Sequence, residues 1–446
     1  MATTYLTRTQ GTPTDAKKYT FSTWVKLGRL KTDHDFMFGV RNDANNNNNF
    51  YFRSASDFVL TQENVVGGTA VGYFYTNRKF RDVSAWYHIV VAVDTSQVTS
   101  SNRVKVYVNG VQETSFSSIL YPTLNSNDII NTSGSLVFIG QKGGSYGYLD
   151  GLMTHIHFID GLAYDASTFG ETDSLTGIWK PITSPSVTYG TNGFFLKFAN
   201  SSLMGTDSSG EGNDFTVNGN LTQTQDTPSN VFATMNALEN SYSSFTLSNG
   251  NLKAVTSNYS FLRSTLGASA GKYYMEVKCT AQTGSSNKWQ FGISDSPSTS
   301  STNYIGANSY QYGWRGNADE IFYNGTTANY GSGAMATGYI IGMALDLDNN
   351  KIYWSINGTW KNSGDPASNS NGFSITAPAS TNTGYYHFAF GELEGTDNFT
   401  FETNFGNGYF GTTPVADAGT NASGIGIFEY DVPTGYTALS TKGLNL

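Results

Sequence analysis

Several acidic side chains in this 446-residue chain have the types and spacing that glycoside hydrolysis uses. That reaction needs two carboxylates, one on each side of the scissile bond. Glu392 and Glu394 are one residue apart, as are Asp346 and Asp348, and this spacing puts both members of a pair on one face of a strand. Glycines flank the first pair, which predicts a loop, whereas the second pair is expected to cap a hairpin. We therefore predict that neither pair is catalytic.

His155 and His157 are also separated by one residue, so both rings are expected to leave a strand on the same side. A metal site would need a third ligand, and the sequence does not identify one. A solvated or hydrogen-bonded pair is the favoured interpretation. No phosphate-binding loop occurs in the sequence, and the Gly-x-Ser-x-Gly patterns at residues 143–147 and 267–271 lack the following helix that a nucleophile elbow needs. We therefore predict that the protein is not an enzyme.

The turn at residues 207–214 is rich in oxygen ligands of the kind that Ca²⁺ prefers. Asp207, Asn213 and Asp214 supply carboxylate and amide oxygens, and glycines at 210 and 212 let the backbone curl. The spacing is not that of an EF-hand. Two interpretations stay open: a structural calcium site, or an Asx-type turn held by bonds from side chains to the backbone. No other cofactor is predicted.

Aromatic residues beside a cation, between positions 310 and 315, are candidates for ligand binding. Tyr310, Tyr312, Trp314 and Arg315 lie in a glycine-rich stretch, where ring faces and a guanidinium could contact a sugar or a partner protein. The alternative is that these rings pack into a sheet.

Short strands and tight turns account for most of the chain. Residues 19–26 and 103–108 alternate in polarity, and the Asn-Gly pairs at 109–110, 249–250 and 357–358 predict hairpins. Residues 45–49 are five consecutive asparagines. This run has no apolar face to bury, which predicts a loop. No amphipathic helix of ten or more residues is visible. The fold prediction is all-β, with two tandem antiparallel β-sandwiches.

The composition excludes several classes of protein. The net charge of −9 argues against a nucleic-acid-binding protein, which needs a basic surface. No apolar window reaches the roughly 18 residues of a membrane helix, so membrane insertion is not expected. No signal peptide is apparent, which predicts synthesis in the cytoplasm. The single cysteine, Cys279, excludes an intrachain disulfide and is expected in a β core.

Two domains are predicted, with a connecting segment between them. The polar residues 226–240, which include Pro228, are the predicted linker. The first domain would then span residues 1–225 and the second residues 241–446.

The first domain resembles the laminin-G and pentraxin-like domains of the concanavalin A-like lectin/glucanase superfamily. The resemblance is carried by residues 21–26, 86–94, 106–110 and 158–161. It implies a jelly-roll sandwich, and it supports the calcium interpretation because such domains often hold calcium at the rim.

The second domain resembles a SPRY domain at residues 269–277, 342–348, 354–358 and 404–406. One departure is Tyr274, where SPRY domains more usually have tryptophan. The resemblance implies a second sandwich whose variable loops bind partners.

The tandem as a whole resembles virion structural proteins of bacteriophages, especially marine and cyanobacterial ones. The recurring phrases lie at residues 158–161, 169–173, 189–194, 207–215 and 433–439. This resemblance implies a non-enzymatic component of the virion, of the tail-fibre or surface-adhesin type, that binds a host cell-surface glycan or a protein partner.

Two alternatives remain at this point. One is a purely structural capsid-decoration or tail subunit that holds other virion proteins. The other is a polysaccharide depolymerase, which is disfavoured because the Glu-x-Asp-x-Glu motif of retaining glucanases and long β-helix repeats are both missing. The sequence has no heptad repeat that would predict a coiled-coil stalk. A homo-oligomer would therefore have to form through the surfaces of the sandwiches.

Overall fold

The computed structural model describes residues 3–30, 32–53, 58–144, 146–174, 177–239, 245–256, 259–284, 288–300, 302–316, 318–331, 333–393 and 398–445. The chain divides into two compact units, residues 1–223 and residues 224–446. No helix in the described ranges is long and apolar enough to cross a membrane.

The first unit contains sixteen strands in the residues that the structure describes. They are β1 Tyr5–Thr9, β2 Lys18–Leu27, β3 Asp35–Arg41, β4 Asn47–Arg53, β5 Val59–Val66, β6 Thr69–Lys79, β7 Tyr87–Asp94, β8 Val104–Val108, β9 Val111–Glu113, β10 Phe116–Leu120, β11 Leu136–Ile139, β12 Gly151–Asp160, β13 Gly170–Thr172, β14 Trp179–Pro181, β15 Phe194–Leu196 and β16 Thr216–Asn218. Three short 3₁₀ helices lie between them, at Ser100–Asn102, Ile129–Asn131 and Ala166–Thr168.

Two antiparallel sheets form the first sandwich. The eight-stranded sheet has the order β10-β6-β5-β4-β3-β11-β1-β16, and the six-stranded sheet has the order β15-β12-β2-β7-β8-β9. Their inner faces meet in an aromatic core, where Phe21 of β2 stacks on Phe38 of β3 at 4.7 Å and on Phe50 of β4 at 5.5 Å. The strand expected at residues 19–26 is confirmed, but it is buried on both faces rather than half-buried.

The second unit contains a further seventeen strands among its described residues. They are β17 Thr246–Ser248, β18 Lys253–Thr256, β19 Ser260–Arg263, β20 Lys272–Gln282, β21 Trp289–Ser294, β22 Gln311–Arg315, β23 Glu320–Tyr323, β24 Thr326–Asn329, β25 Ile340–Asp346, β26 Lys351–Ile356, β27 Thr359–Trp360, β28 Phe373–Ser374, β29 His387–Glu392, β30 Phe399–Asn404, β31 Tyr409–Phe410, β32 Thr413–Pro414 and β33 Thr437–Ala438. Its 3₁₀ helices are Ala237–Glu239, Lys361–Ser363, Pro378–Ser380 and Gly443–Asn445.

The second sandwich also consists of two main sheets. One follows the order β17-β18-β30-β20-β25-β26-β27, with β28 added beside β26 and β33 beside β20. The other has the order β19-β29-β21-β22-β23-β24. Across the core, the indole of Trp354 donates to the carbonyl of Phe291 at 2.9 Å. Cys279 is fully buried in β20, as the sequence predicted. The all-β fold with two sandwiches is thus confirmed.

The asparagine run was predicted as a loop, and that prediction is wrong from Asn47 onward. Strand β4 begins at Asn47, and residues 47–49 are all buried. Asn48 points inward and its amide donates to the buried carboxylate of Asp128 at 2.8 Å. Tyr19 and Asn64 donate to the same carboxylate, so a buried polar network replaces the apolar contacts of an ordinary strand.

Residues 226–240 were predicted as a linker, but the described part of this segment packs in the second unit. Phe232, Ala233 and Met235 are buried there. Bridges join Phe232 to Ser440 and Met235 to Ser264. The segment is therefore an ordered part of the second unit rather than a spacer.

Candidate functional site

The carboxylate pair Asp346 and Asp348 lies at the β25–β26 hairpin. Asp346 accepts the backbone N–H of Asn349 at 3.0 Å and forms an ion pair with Lys272 at 3.0 Å. Asp348 accepts the N–H of Gly271 at 2.8 Å. The hairpin cap is confirmed for Asp346, whereas Asp348 joins the hairpin to the residue before β20.

Of the other carboxylate pair, Glu392 and Glu394, the structure describes only Glu392. Glu392 is fully buried in β29, where it accepts the Thr256 hydroxyl at 3.4 Å. Glu394 lies outside the residues that the structure describes. Burial of Glu392 in the sheet keeps this carboxylate away from solvent and from a polymeric substrate.

The two histidines of β12 lie beside a bulge, and His155 has a positive φ of 47°. His157 is buried, stacks on Phe195 at 3.9 Å, and its Nδ1 lies 2.9 Å from the Tyr189 hydroxyl. Burial lowers the pKa of both imidazoles, that of His155 to about 4. The hydrogen-bonded interpretation is confirmed for His157. In the described part of the chain, no three His, Cys, Asp or Glu side chains are arranged to hold a metal ion.

His88, which the sequence did not single out, lies on the same outer face of the six-stranded sheet. The Trp179 indole donates to its Nδ1 at 3.0 Å, so its Nε2 carries the proton and faces the Ser22 hydroxyl at 3.0 Å. The ring stacks on Trp24 at 4.7 Å. Burial lowers the pKa of His88 to about 3. The signal was present, because a polar ring inside an apolar strand must be satisfied by specific partners.

The turn at 207–214 uses its side-chain oxygens as acceptors of hydrogen bonds from protein groups. Asp207 accepts the N–H groups of Phe195 at 2.8 Å, Ser209 at 2.8 Å and Asn213 at 2.9 Å. Asp214 accepts the N–H of Asp207 at 2.7 Å. These bonds form the Asx-type turn that was the alternative to calcium, and they join the turn to β15.

The Asn213 oxygen accepts a hydrogen bond from the Arg8 guanidinium. A cation is thus already present at the oxygen that the calcium interpretation needs, and it would repel Ca²⁺. The oxygen arrangement therefore favours the turn, and calcium binding at Asp207, Asn213 and Asp214 stays a prediction to be tested.

The aromatic candidates of the second unit do not form an exposed site. Trp314 is fully buried and Tyr312 is 2% exposed, because alternation along β22 points both rings into the core. Tyr310 packs against the edge of this core. Only Arg315 faces outward, and its guanidinium pairs with Glu320 at 2.8 Å. The prediction that Tyr312 and Trp314 offer ring faces to a ligand is therefore wrong.

The outer face of the eight-stranded sheet carries an aromatic row that the sequence did not reveal. Alternation along β4, β5 and β6 turns Tyr51, Thr61 and Tyr75 outward, and the strand register places them side by side. Phe36 of β3 extends the row and stacks on Tyr51 at 4.5 Å. Since neighbouring strands lie about 4.8 Å apart, the row covers roughly 14 Å of the sheet.

A second row lies one step along the same strands, where the register places Asn49, Glu63 and Tyr73 side by side. The rings of Tyr73 and Tyr75 are 5.6 Å apart, and both residues are half-buried. We refer to the outward side chains of β4, β5 and β6 as the tyrosine platform, which comprises Tyr51, Arg53, Thr61, Glu63, Tyr73 and Tyr75.

Charged groups are held against the rings of the tyrosine platform. The Glu63 carboxylate accepts a hydrogen bond from the Tyr75 hydroxyl. Burial raises the pKa of Tyr51 and of Tyr75, and the adjacent Glu63 carboxylate raises both further. The Arg53 guanidinium lies over the Tyr75 ring, 4.7 Å from its centroid. The phenols therefore stay neutral and act as hydrogen-bonding groups.

Gly143, Gly144 and Gly147 lie beside side chains of β3 and β11 at the edge of the platform. A Cβ atom at Gly147 would lie 2.6 Å from the Phe36 ring, and one at Gly144 would lie 2.3 Å from the Arg41 guanidinium. A side chain at 147 would therefore clash with the Phe36 ring, whereas the flexible end of Arg41 can move away from one at 144. Tyr146, which is 44% exposed, lies beside Lys142.

The tyrosine platform has the chemical features of a surface for an extended polar ligand. The Tyr73 and Tyr75 rings are half-buried, whereas the Tyr51 ring is buried, and the Glu63 carboxylate and the Arg53 guanidinium both contact Tyr75. Aromatic rings of this kind pack on the apolar faces of a ligand. The charged side chains form strong hydrogen bonds to the hydroxyl groups of the same ligand. The platform contains one carboxylate, Glu63, so it lacks the acid and nucleophile pair of a glycosidase.

Comparison with known proteins agrees with this architecture. Residues 1–163 match the model of the concanavalin A-like lectin/glucanases superfamily, and residues 272–372 match the SPRY domain model. No curated protein is significantly similar to the chain in sequence.

Solved structures similar to parts of the chain include three with low sequence identity. The SPRY domain of human HERC1 is 11% identical, with a TM-score of 0.28 over 36% of this chain and 91% of that one. A heptameric SAP-like pentraxin from Limulus polyphemus is 19% identical, with a TM-score of 0.27 over 36% and 71%. A putative carbohydrate binding protein from Bacteroides ovatus is 14% identical, with a TM-score of 0.34 over 49% and 56%. From the family matches, the chain carries a concanavalin A-like domain followed by a SPRY domain.

Proposed function

We propose that this protein is a non-enzymatic binding component of a bacteriophage virion, of the tail-fibre or adhesin type, and that it attaches to polysaccharide on the host surface. The tyrosine platform is the observation that carries the proposal, because Tyr73 and Tyr75 form a half-buried aromatic surface with Glu63 and Arg53 fixed beside it. The virion assignment rests on the sequence resemblance described above.

Binding of the full chain to an array of bacterial lipopolysaccharides and capsular polysaccharides tests this function. We expect Tyr75→Ala to weaken binding about tenfold, equivalent to about 1.4 kcal/mol. Tyr385→Ala is a matched control, since Tyr385 is a 51% exposed tyrosine of the second unit. Absence of binding to every glycan, together with tight binding to a purified virion protein, would support the purely structural role instead. Release of oligosaccharides from any bound polymer would support a depolymerase.

A further inference from the structure

We infer that the tyrosine platform binds an anionic polysaccharide, one that carries carboxylate or sulfate groups, rather than a neutral one. This inference rests on the proposed function and adds the class of ligand. It depends on where the cationic side chains of the first unit lie with respect to the aromatic rows.

Lys142 is the central cation of this surface. Its ammonium lies 5.4 Å from the Phe36 ring centroid and 5.5 Å from that of Tyr146. Among the described residues, no carboxylate forms an ion pair with it. An ammonium held over aromatic rings without a carboxylate partner is available to an anion of the ligand.

Arg41 adds a second cation beside the exposed Tyr146 ring, with its guanidinium 5.5 Å from the ring centroid. The carbonyl of Gly143 accepts a hydrogen bond from Arg41 at 3.2 Å, which fixes the side chain. Two cations thus lie within about 6 Å of the Tyr146 ring. A sugar packed on this ring would bring an acidic substituent within reach of both.

Arg53 lies farther along the platform, among the tyrosine rows, and His34 lies beside it as a neutral ring. Arg53 lies over Tyr75, and the His34 ring is 5.1 Å from that of Tyr51. Burial lowers the pKa of His34, which keeps this imidazole neutral near pH 7. Accepting the Tyr75 hydroxyl does not remove the negative charge of Glu63, so the preference for an acidic sugar rests on Lys142 and Arg41 beside Tyr146.

This placement contrasts with the charge of the whole chain, which is −9. The net negative charge repels a polyanion at long range. Binding must therefore come from local cations that act at short range. The stacking rings supply the contact with sugar, and the cations supply the preference for acidic sugar. An acidic polysaccharide satisfies both features, whereas a neutral one would leave Lys142 without an anion.

The test compares binding of the full chain to polygalacturonate and to its carboxyl-reduced form, which has the same backbone without the charge. We expect binding to the acidic polymer that falls steeply as ionic strength rises from about 0.05 to about 0.5 M, and little binding to the reduced form. Lys142→Gln and Arg41→Gln should each weaken binding about fivefold. Lys105→Gln is the matched control, since it removes one charge from β8 of the same unit and should leave binding unchanged.

Each other outcome is informative. Equal binding to both polymers would overturn the charge preference and leave the proposed glycan binding intact. Binding to neither polymer nor to any glycan of the array would overturn both. Equal competition by a DNA duplex of matched charge would show that the cations act without the aromatic rows, and it would overturn the assignment to polysaccharide.

Discussion

Two strands of this protein carry aromatic residues at alternate positions with opposite results. Tyr73 and Tyr75 of β6 face outward, whereas Tyr312 and Trp314 of β22 face the core. The residue between the first pair is Phe74, which is fully buried and supplies the core contact. Gly313 lies between the second pair and has no side chain to bury. The face of β22 that carries Tyr312 and Trp314 therefore packs in the core. A strand with aromatic residues on both faces therefore has one aromatic face left over for solvent or a ligand.

Replacing the inward ring should have the largest effect. We expect Trp314→Ala to destabilise the second unit by about 3–5 kcal/mol, because it leaves a large cavity in a packed core. The same truncation at the outward Tyr75 should cost about 1 kcal/mol, since a half-buried ring and one hydrogen bond are lost. Urea unfolding of both variants measures the difference. Equal losses of stability would contradict the assignment of the two faces.

Where further segments of the chain cover the outer face of a sheet, the side chains on that face should be as buried as those of a core. The outer face of the six-stranded sheet, which carries His88, is covered in this way. The folded pKa of His88, about 3, lies below its unfolded value, so folding favours the neutral ring. Its contribution to stability is complete above pH about 6.5 and is lost as the pH falls below that value. We expect His88 alone to account for about 2 kcal/mol of lost stability by pH about 5.

His155 and His157 act in the same direction, because burial lowers both pKa values. The buried Asp128 acts in the opposite direction, since burial raises its pKa. Chemical denaturation of the first unit at a series of pH values from 7 to 5 measures the sum. Stability that stays constant over this range would contradict burial of the three imidazoles.

The turn at 207–214 offers a polar counterpart to these aromatic faces. Asp207→Ala should destabilise the first unit by about 1–2 kcal/mol, because the N–H groups of Phe195, Ser209 and Asn213 lose their acceptor. If hydrogen bonding is the whole role of Asp207, addition of calcium or of EDTA leaves the melting temperature of the wild-type chain unchanged. A calcium-dependent rise in melting temperature that Asp207→Ala abolishes would establish the metal site.

The smallest effect on stability is expected at Tyr73. We expect Tyr73→Ser to change the free energy of unfolding by no more than about 0.5 kcal/mol, because the ring is half-buried on an outer face. The same variant should weaken glycan binding as Tyr75→Ala does. A variant that binds normally would restrict the ligand surface to the row that contains Tyr75.

Much of the fold followed from local patterns in the sequence. Alternation at residues 19–26 and the Asn-Gly pair at 109–110 depend on neighbouring residues alone, and both were predicted correctly. The strand at Asn47 was missed because Asn48 is satisfied by Asp128, which lies 80 residues away. A local pattern cannot show that a buried carboxylate will meet a polar strand.

The candidate site was harder to predict than the fold. The row of Phe36, Tyr51 and Tyr75 exists only through the register of neighbouring strands, which the sequence does not state. The misassigned rings of β22 could have been predicted, since Tyr312 and Trp314 alternate with Gln311, Gly313 and Arg315. Polar or small residues at the intervening positions indicate that the aromatic face is the core face.

The β20 strand has a consequence for the order in which the second unit folds. The buried Glu276 accepts the backbone N–H groups of Glu429 at 2.9 Å and Tyr430 at 2.8 Å, which lie 153 and 154 residues later in the chain. Strand β33 then pairs with β20 in parallel. During synthesis, more than a hundred and fifty further residues must therefore be added after β20 begins before the hydrogen-bond donors to Glu276 are present. Closure of so long a loop slows folding, and it makes this carboxylate one of the last groups to reach its native environment.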